Sequence, residues 1–110
     1  MVYVCDRDNN KIRRINSTGF TTTFAGNGSK GIMNGPVLSS TFDYPDSIVF
    51  DSLTGNLTLT SISESTIRRI TPDGTVSLFV SSTQLGGLVV DSSSNLYVSS
   101  VNTNRGALMP

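Results

Sequence analysis

Two stretches of this 110-residue chain repeat one another at a fixed offset. Val2-Tyr3-Val4-Cys5-Asp6 leads to Ile12-Arg13-Arg14-Ile15, and Leu57-Thr58-Leu59-Thr60-Ser61 leads to Ile67-Arg68-Arg69-Ile70. The offset is 55 at both ends, since 57 − 2 = 55 and 67 − 12 = 55. A third copy opens at Leu96-Tyr97-Val98-Ser99-Ser100, 39 residues after Leu57. Self-similarity at such periods marks a supersecondary unit that cannot bury its apolar faces alone and must stack on copies of itself.

The unit is a meander of short strands. Its segments alternate apolar with polar residues, are rich in β-branched side chains and are separated by turn-forming residues. The predicted strands are Val2 to Asp6, Lys11 to Asn16, Phe20 to Ala25, Ser47 to Asp51, Leu57 to Ser61, Thr66 to Thr71, Thr75 to Val80, Leu88 to Asp91 and Leu96 to Ser100. Asn9-Asn10, Gly55-Asn56 and Pro72-Asp73-Gly74 supply turns, because Asn and Gly accept positive φ and Pro fixes the first corner. Gly26 to Tyr44 breaks the rhythm with four glycines and Pro36, and reads as a long connection that Val37, Leu38 and Phe42 pin to the body. No apolar helical period runs for three turns. The expected core is Val2, Val4, Ile12, Ile48, Phe50, Leu57, Leu59, Ile67, Ile70, Leu88, Val90, Leu96 and Val98, the alternating positions of the matched strands. Four antiparallel strands repeating at about 40 residues are the blades of a β-propeller. The fold class is therefore all-β, a partial β-propeller of four-stranded antiparallel meander blades.

The blade resembles the NHL repeat. Pro45-Asp46-Ser47-Ile48-Val49-Phe50-Asp51, Gly55-Asn56-Leu57, Ile67-Arg68-Arg69-Ile70 and Pro72-Asp73-Gly74 follow that family's pattern, and Asp6 supplies its aspartate in the first copy. The second copy has Ser61 there, so the strand-to-strand ion pair is expected to be lost. The third copy carries Gly106-Ala107-Leu108-Met109 where Ile-Arg-Arg-Ile is expected, so the repeat is expected to end near Arg105. On this reading residues 1–25 are an incomplete blade, 26–44 a Gly-rich inter-blade loop, 45–83 a full blade, and 84–110 the start of a third blade with a divergent tail. That is about two and a quarter blades, against about four to eight in a closed propeller. The expectation is a segment of a larger propeller, or a protomer that covers its open blade faces by association.

Composition narrows the function. Eight Lys+Arg balance eight Asp+Glu and only 7% of residues are aromatic, which argues against a nucleic-acid surface. No apolar run is long enough to span a bilayer, and no signal-peptide pattern opens the chain. The absence of His and the single Cys5 leave little for metal ligation or nucleophilic catalysis, so no cofactor and no catalytic residue is expected. Cys5 reads as a small buried hydrophobe. Asp43 and Asp46 with Asn34 are the nearest approach to a calcium set, at a spacing that fits no known loop. The glycine loop Gly26 to Gly31 lacks the residue order of a phosphate cradle. Three glycosylation sequons begin at Asn16, Asn27 and Asn56, about the number that this content of Asn, Ser and Thr gives by chance.

The candidate binding residues are Asp6, Arg13, Arg14, Arg68 and Arg69. Adjacent antiparallel strands bring Asp6 toward an Arg on one sheet face. Neighbouring Arg side chains leave a strand on opposite sides, so neither Arg pair forms a single patch. The resemblance implies a non-catalytic binding or scaffold segment that contacts protein through loops at one propeller face. The alternatives are part of a propeller enzyme, a lyase or hydrolase with its catalytic residues outside this chain, and an RNA-binding propeller.

Overall fold

The computed structural model describes residues 1–81, 85–100 and 106–109. The strands in chain order are β1 (Val2–Asp6), β2 (Lys11–Ile15), β3 (Thr21–Ala25), β4 (Gly35–Pro36), β5 (Pro45–Phe50), β6 (Leu57–Ser61), β7 (Thr66–Ile70), β8 (Thr75–Ser81), β9 (Leu85–Val90), β10 (Leu96–Ser100) and β11 (Gly106–Met109). Helical structure among the described residues is confined to two single turns, Arg7–Asn9 and Ile62–Glu64. The strands form three sheets, ordered β1-β2-β3, β4-β8-β7-β6-β5 and β9-β10-β11. Every pairing between strands is antiparallel. The chain is a partial β-propeller, with β5–β8 as its complete four-stranded blade.

The sequence repeat is also a repeat of backbone detail. The Arg7–Asn9 turn closes on Asn10 at φ 55, and the Ile62–Glu64 turn is followed by Ser65 at φ 54. A bulge leaves Phe24 without a partner between Ile12 and Arg13, and another leaves Phe79 so between Ile67 and Arg68. The bulged rings then lie beneath the second arginine of each pair. Arg14 stands 5.6 Å from the Phe24 ring centroid and Arg69 3.9 Å from that of Phe79, both within cation–π range.

The third copy continues further than its residues suggest. Gly106–Met109 pairs with β10 with Met109 in register with Leu96, as Ile70 is with Leu57 in the complete blade. The residue pattern departs after Arg105, yet pairing with β10 continues there, because ladder bonds are made by the backbone. One residue is missing from the turn that opens this copy. Asp51 precedes Leu57 by six positions and Asp91 precedes Leu96 by five. The inner strand is therefore offset by 40 and the next by 39.

Burial follows each sheet's place in the stack. Ile12, Ala25, Phe42, Leu57, Leu59, Ile70 and Val76 form one cluster between the first and second sheets, joined by Tyr3, Cys5, Phe24, Val37 and Ile48. Ile67, Leu88, Leu96 and Val98, with Val49, Phe79 and Val80, form the other, between the second and third. β6 is buried along its whole length, threonines included, because it is covered on both sides. Three expected core residues lie outside. Val2, Val4 and Phe50 are exposed. Val4 is 40% exposed while its counterpart Leu59 is 0% exposed. The two occupy the same position in the repeat, and the difference is that, among the described residues, no sheet covers the Val4 side of the first blade. Phe50 stands at the end of β5, where the Tyr3 ring stacks on it at 6.3 Å.

The long connection is ordered by specific bonds. Gly26 N–H donates to the Val37 carbonyl, Asn27 N–H to Ser40 and Thr41 N–H to Met33. β4, at Gly35 and Pro36, adds a fifth strand to the outer edge of the complete blade, pairing with Val76 and Thr75. A proline that lacks a donor is tolerated at such an edge. Phe42 enters the core fully and Val37 packs against it. Leu38, expected as a third anchor, is exposed. Gly26 must be glycine: its φ is +94, and a Cβ there would lie 2.7 Å from the Asn10 carbonyl oxygen.

Candidate functional site

The turns at Arg7–Asn9 and Ile62–Glu64, the start of β5 and the long connection come together at one end of the sheets. In the first blade, Asp6 accepts from the side-chain amide of Asn9 at 3.0 Å and from Arg13 Nε at 3.0 Å. Arg13 also donates to the Thr23 hydroxyl. The Asn9 amide and then the Arg13 guanidinium hold the Asp6 carboxyl below its ordinary value of 3.8. Of the two arginines only Arg13 meets Asp6. Arg14 faces the other side of the sheet, over Phe24.

In the second blade the same three positions read Ser61, Glu64 and Arg68. The Asp6-type pair is absent there, and the Ser61 hydroxyl is buried with no hydrogen-bond partner. Arg68 is nevertheless paired. Its side chain is 2% exposed and lies 3.6 Å from Glu64, which is 1% exposed. It donates to Asn34 Oδ1 at 3.0 Å, to the Thr41 carbonyl at 2.7 Å and to the Met33 carbonyl at 2.7 Å. The Phe42 ring lies beneath it, 4.5 Å away. Glu64 in turn accepts from the Asp43 N–H at 2.6 Å and from the Thr66 hydroxyl at 3.0 Å. Burial pushes the Arg68 guanidinium down from its usual value, and Glu64 opposes that shift. Arg68 and Glu64 therefore tie the long connection to the blade and are closed to any ligand. Arg69, over Phe79, is on the opposite face.

The accessible polar groups sit where the first and second blades meet. Arg7 bonds Asp46 at 2.9 Å and lies 5.4 Å from the Tyr44 ring. Tyr44 N–H donates to Asn10 Oδ1 across the same junction, and Tyr44 holds φ 57. Lys30 is 3.9 Å from Asp43. Arg7 and Tyr44 were not singled out from the sequence, and Asp46 was weighed there only as a calcium ligand and as part of the blade pattern. The signal for their meeting is faint, since Tyr44 and Asp46 lie 37 and 39 positions after Arg7. Cys5 packs beside them, and burial, with the Asp46 carboxylate adding and Arg7 opposing, pushes its thiol up to about 12. A thiol so placed is a packing group at neutral pH.

The oxygens weighed as a calcium set each face a cation of the protein: Asn34 accepts from Arg68, Asp46 from Arg7, and Asp43 faces Lys30. No group of three or more His, Cys, Asp or Glu side chains with metal-binding geometry occurs among the described residues. At the other end of the sheets, Asp51 and Asp91 cap their turns. Asp51 accepts from Leu53 N–H and the Thr54 hydroxyl, and Asp91 from Ser93 and Asn95 N–H. Within the described residues, no helix is long and apolar enough to cross a membrane.

No protein-family model matches this sequence, and no curated protein does either. Solved structures do. A structural genomics protein of unknown function from Bacteroides thetaiotaomicron superposes with a TM-score of 0.81 at 16% identity, over 97% of this chain and 32% of that one. An auxiliary nutrient binding protein from the same organism gives 0.73 at 14% identity, over 98% and 35%. A streptogramin B lyase gives 0.65 at 18% identity, over 98% and 36%. These likenesses establish the β-propeller fold. The chain spans about a third of the length of each of these structures.

Proposed function

We propose that this chain is a non-catalytic binding segment of an NHL-type propeller, and that it contacts protein through the end of the blades that carries Arg7, Tyr44 and Asp46. The observation behind this reading is the junction itself. A half-exposed arginine, an exposed tyrosine and a carboxylate meet there across two blades. Arginine and tyrosine are favoured anchors of protein interfaces. The buried charges nearby are saturated by the protein's own groups, whereas this rim is accessible. A balanced net charge and sparse aromatics argue against RNA as the ligand.

The test is a selection of displayed peptides on the chain, followed by binding measurements on Arg7→Ala, Tyr44→Ala and Asp46→Ala. Selected peptides should lose at least about tenfold in affinity on two of the three. They should bind Thr54→Ala, at the opposite end, as they bind the parent. Peptides indifferent to all three rim variants would rule the rim out.

A second reading has one observation in its favour: two solved relatives in fold are a streptogramin B lyase and a virginiamycin B lyase from Staphylococcus aureus. On that reading this chain is part of a propeller lyase, with the catalytic groups in blades outside these residues. Lyase activity toward streptogramin B or virginiamycin B, present in a longer protein containing this segment and unaffected by the rim substitutions, would favour it over the first.

A further inference from the structure

Asparagine is followed by glycine twice in the chain, at Asn27-Gly28 and at Asn34-Gly35, and both pairs lie in the long connection. Such a pair is chemically unstable, because glycine has no Cβ to obstruct its nitrogen as it turns onto the asparagine side chain. The fold treats the two pairs differently. Asn27 is exposed. Its Oδ1 accepts from Ser29 N–H at 2.8 Å. Among the described residues, Gly28 N–H donates to no group, and neither does the Asn27 side-chain nitrogen. Lys11 Nζ lies 3.9 Å from where a Gly28 Cβ would stand, so a positive charge sits beside Gly28. At the second pair, Gly35 is held in the β4–β8 ladder opposite Val76. Asn34 Oδ1 accepts from Arg68 Nε, and Arg68 is itself fixed by the carbonyls of Met33 and Thr41.

We propose that Asn27 is a site of spontaneous modification, its side-chain amide converting to aspartate and isoaspartate, and that Asn34 is spared. Gly28 N gives up its proton and attacks Asn27 Cγ. The Cγ–Nδ2 bond breaks, Nδ2 takes up a proton, and ammonia leaves behind a cyclic imide. Water then opens the imide. Attack at Cγ breaks its bond to Gly28 N and gives aspartate. Attack at the Asn27 carbonyl carbon breaks the other bond and gives isoaspartate, whose main chain runs through Cβ and Cγ. The Ser29 N–H stabilises the oxyanion that forms on Oδ1 as Gly28 N adds. The Lys11 ammonium favours the anionic form of that nitrogen. Arg68 would polarise the Asn34 amide in the same way, so the contrast between the pairs rests on the attacking nitrogen. One tied into a ladder is not free to turn onto Cγ. The consequence falls on the connection. Asn27 N–H donates to the Ser40 carbonyl and Gly26 N–H to Val37. Isoaspartate adds a carbon to the main chain beside those bonds and loosens them, whereas aspartate leaves the main chain unchanged. The inference is independent of what the rim at Arg7 binds.

Incubation of the whole chain in heavy-oxygen water at neutral pH, followed by peptide mapping with mass spectrometry, tests it. The peptide carrying Asn27 should exchange its amide for a labelled carboxyl, as two separable products, at least about tenfold faster than the peptide carrying Asn34. In concentrated urea, where the ladder is gone, both should react. Asn27→Gln, at an exposed position, should keep the circular dichroism spectrum and lose the label. The isoaspartate fraction should unfold at lower urea than the Asn27→Asp variant. Asn34 reacting as fast as Asn27 in the folded chain would overturn the proposal. So would an Asn27 that reacts in urea and stays intact in the folded chain. Equal urea midpoints for the isoaspartate fraction and Asn27→Asp would overturn the loosening of the connection.

Discussion

At Arg13 the guanidinium meets a carboxylate from the neighbouring strand, Asp6; at Arg68 it meets one from the preceding turn, Glu64. The positions correspond, since 64 − 55 = 9 and 61 − 55 = 6. Asp6 with Asn9 has become Ser61 with Glu64, so the charge has moved three residues and the arginine has followed it into the long connection. Removing one partner of a buried pair costs about 3–5 kcal/mol. Glu64→Asn alone should therefore lower the melting temperature sharply. Ser61→Asp alone should also lower it, since it sets a second carboxylate beside Glu64. The double variant restores the first blade's arrangement and should melt above either single one. A double variant as unstable as the sum of its parts would show that the two positions are not coupled. Asp6 makes a prediction about acid. Its folded value lies below its unfolded one, so its ionised form contributes fully above 3.8, and that contribution is lost as the pH falls through the lowered folded value. In an NMR titration, Asn9→Ala should move the Asp6 midpoint up toward 3.8. A midpoint unchanged by that substitution would mean that Asn9 does not set it.

At the scale of the strand, burial depends on neighbours more than on residue type. Leu59→Ala should cost about 2–5 kcal/mol, the usual range for a fully buried leucine. Val4→Ala, at the same repeat position, should stay within about 0.5 kcal/mol, the usual range for surface substitutions, when measured by urea denaturation at concentrations where the chain is dispersed. Equal costs would mean that the outer face of β1 is covered in solution. The strand pattern was legible in the sequence because alternation and turn residues report directly on a half-buried meander. The offset of 55 further located the turns. Open faces on the outer blades were legible from the blade count; that Val2 and Val4, and not Tyr3 and Cys5, lie on the open side of β1 was not, because alternation does not say which set turns toward the next blade. β4 was hidden because Gly35-Pro36 reads as a breaker, and its pairing with β8 depends on residues 41 and 39 positions later. At the candidate site, Asp6 and Arg13 were visible from their strand pairing. The partners of Arg68 were not, because two are backbone carbonyls of a loop, and any residue supplies those.

Across the whole molecule, the polar ties between sheets that the described residues show join the first sheet to the second. The first pair shares the Phe42-centred cluster, the Arg7–Asp46 pair, the Tyr44–Asn10 bond and the connection fastened by Arg68. The third sheet has Ala107 at the repeat position of Arg68. Native-state hydrogen exchange should find the slowest amides in β6 and β7, with Leu88–Val90 and Tyr97–Ser99 exchanging faster through a separate opening. Equal protection in β10 and β6 would show one cooperative unit. The long connection also sets an order of events. Residues 26–44 leave the ribosome well before Arg68, Gly74 and Val76, the groups that grip them. The first blade thus emerges with its connection unfastened and its Tyr3 and Phe24 surface uncovered. It cannot be sealed until some 40 further residues have been synthesised. During that interval the nascent chain presents its own inner interface to the cell, and a chaperone that shields apolar β-surface would meet it there.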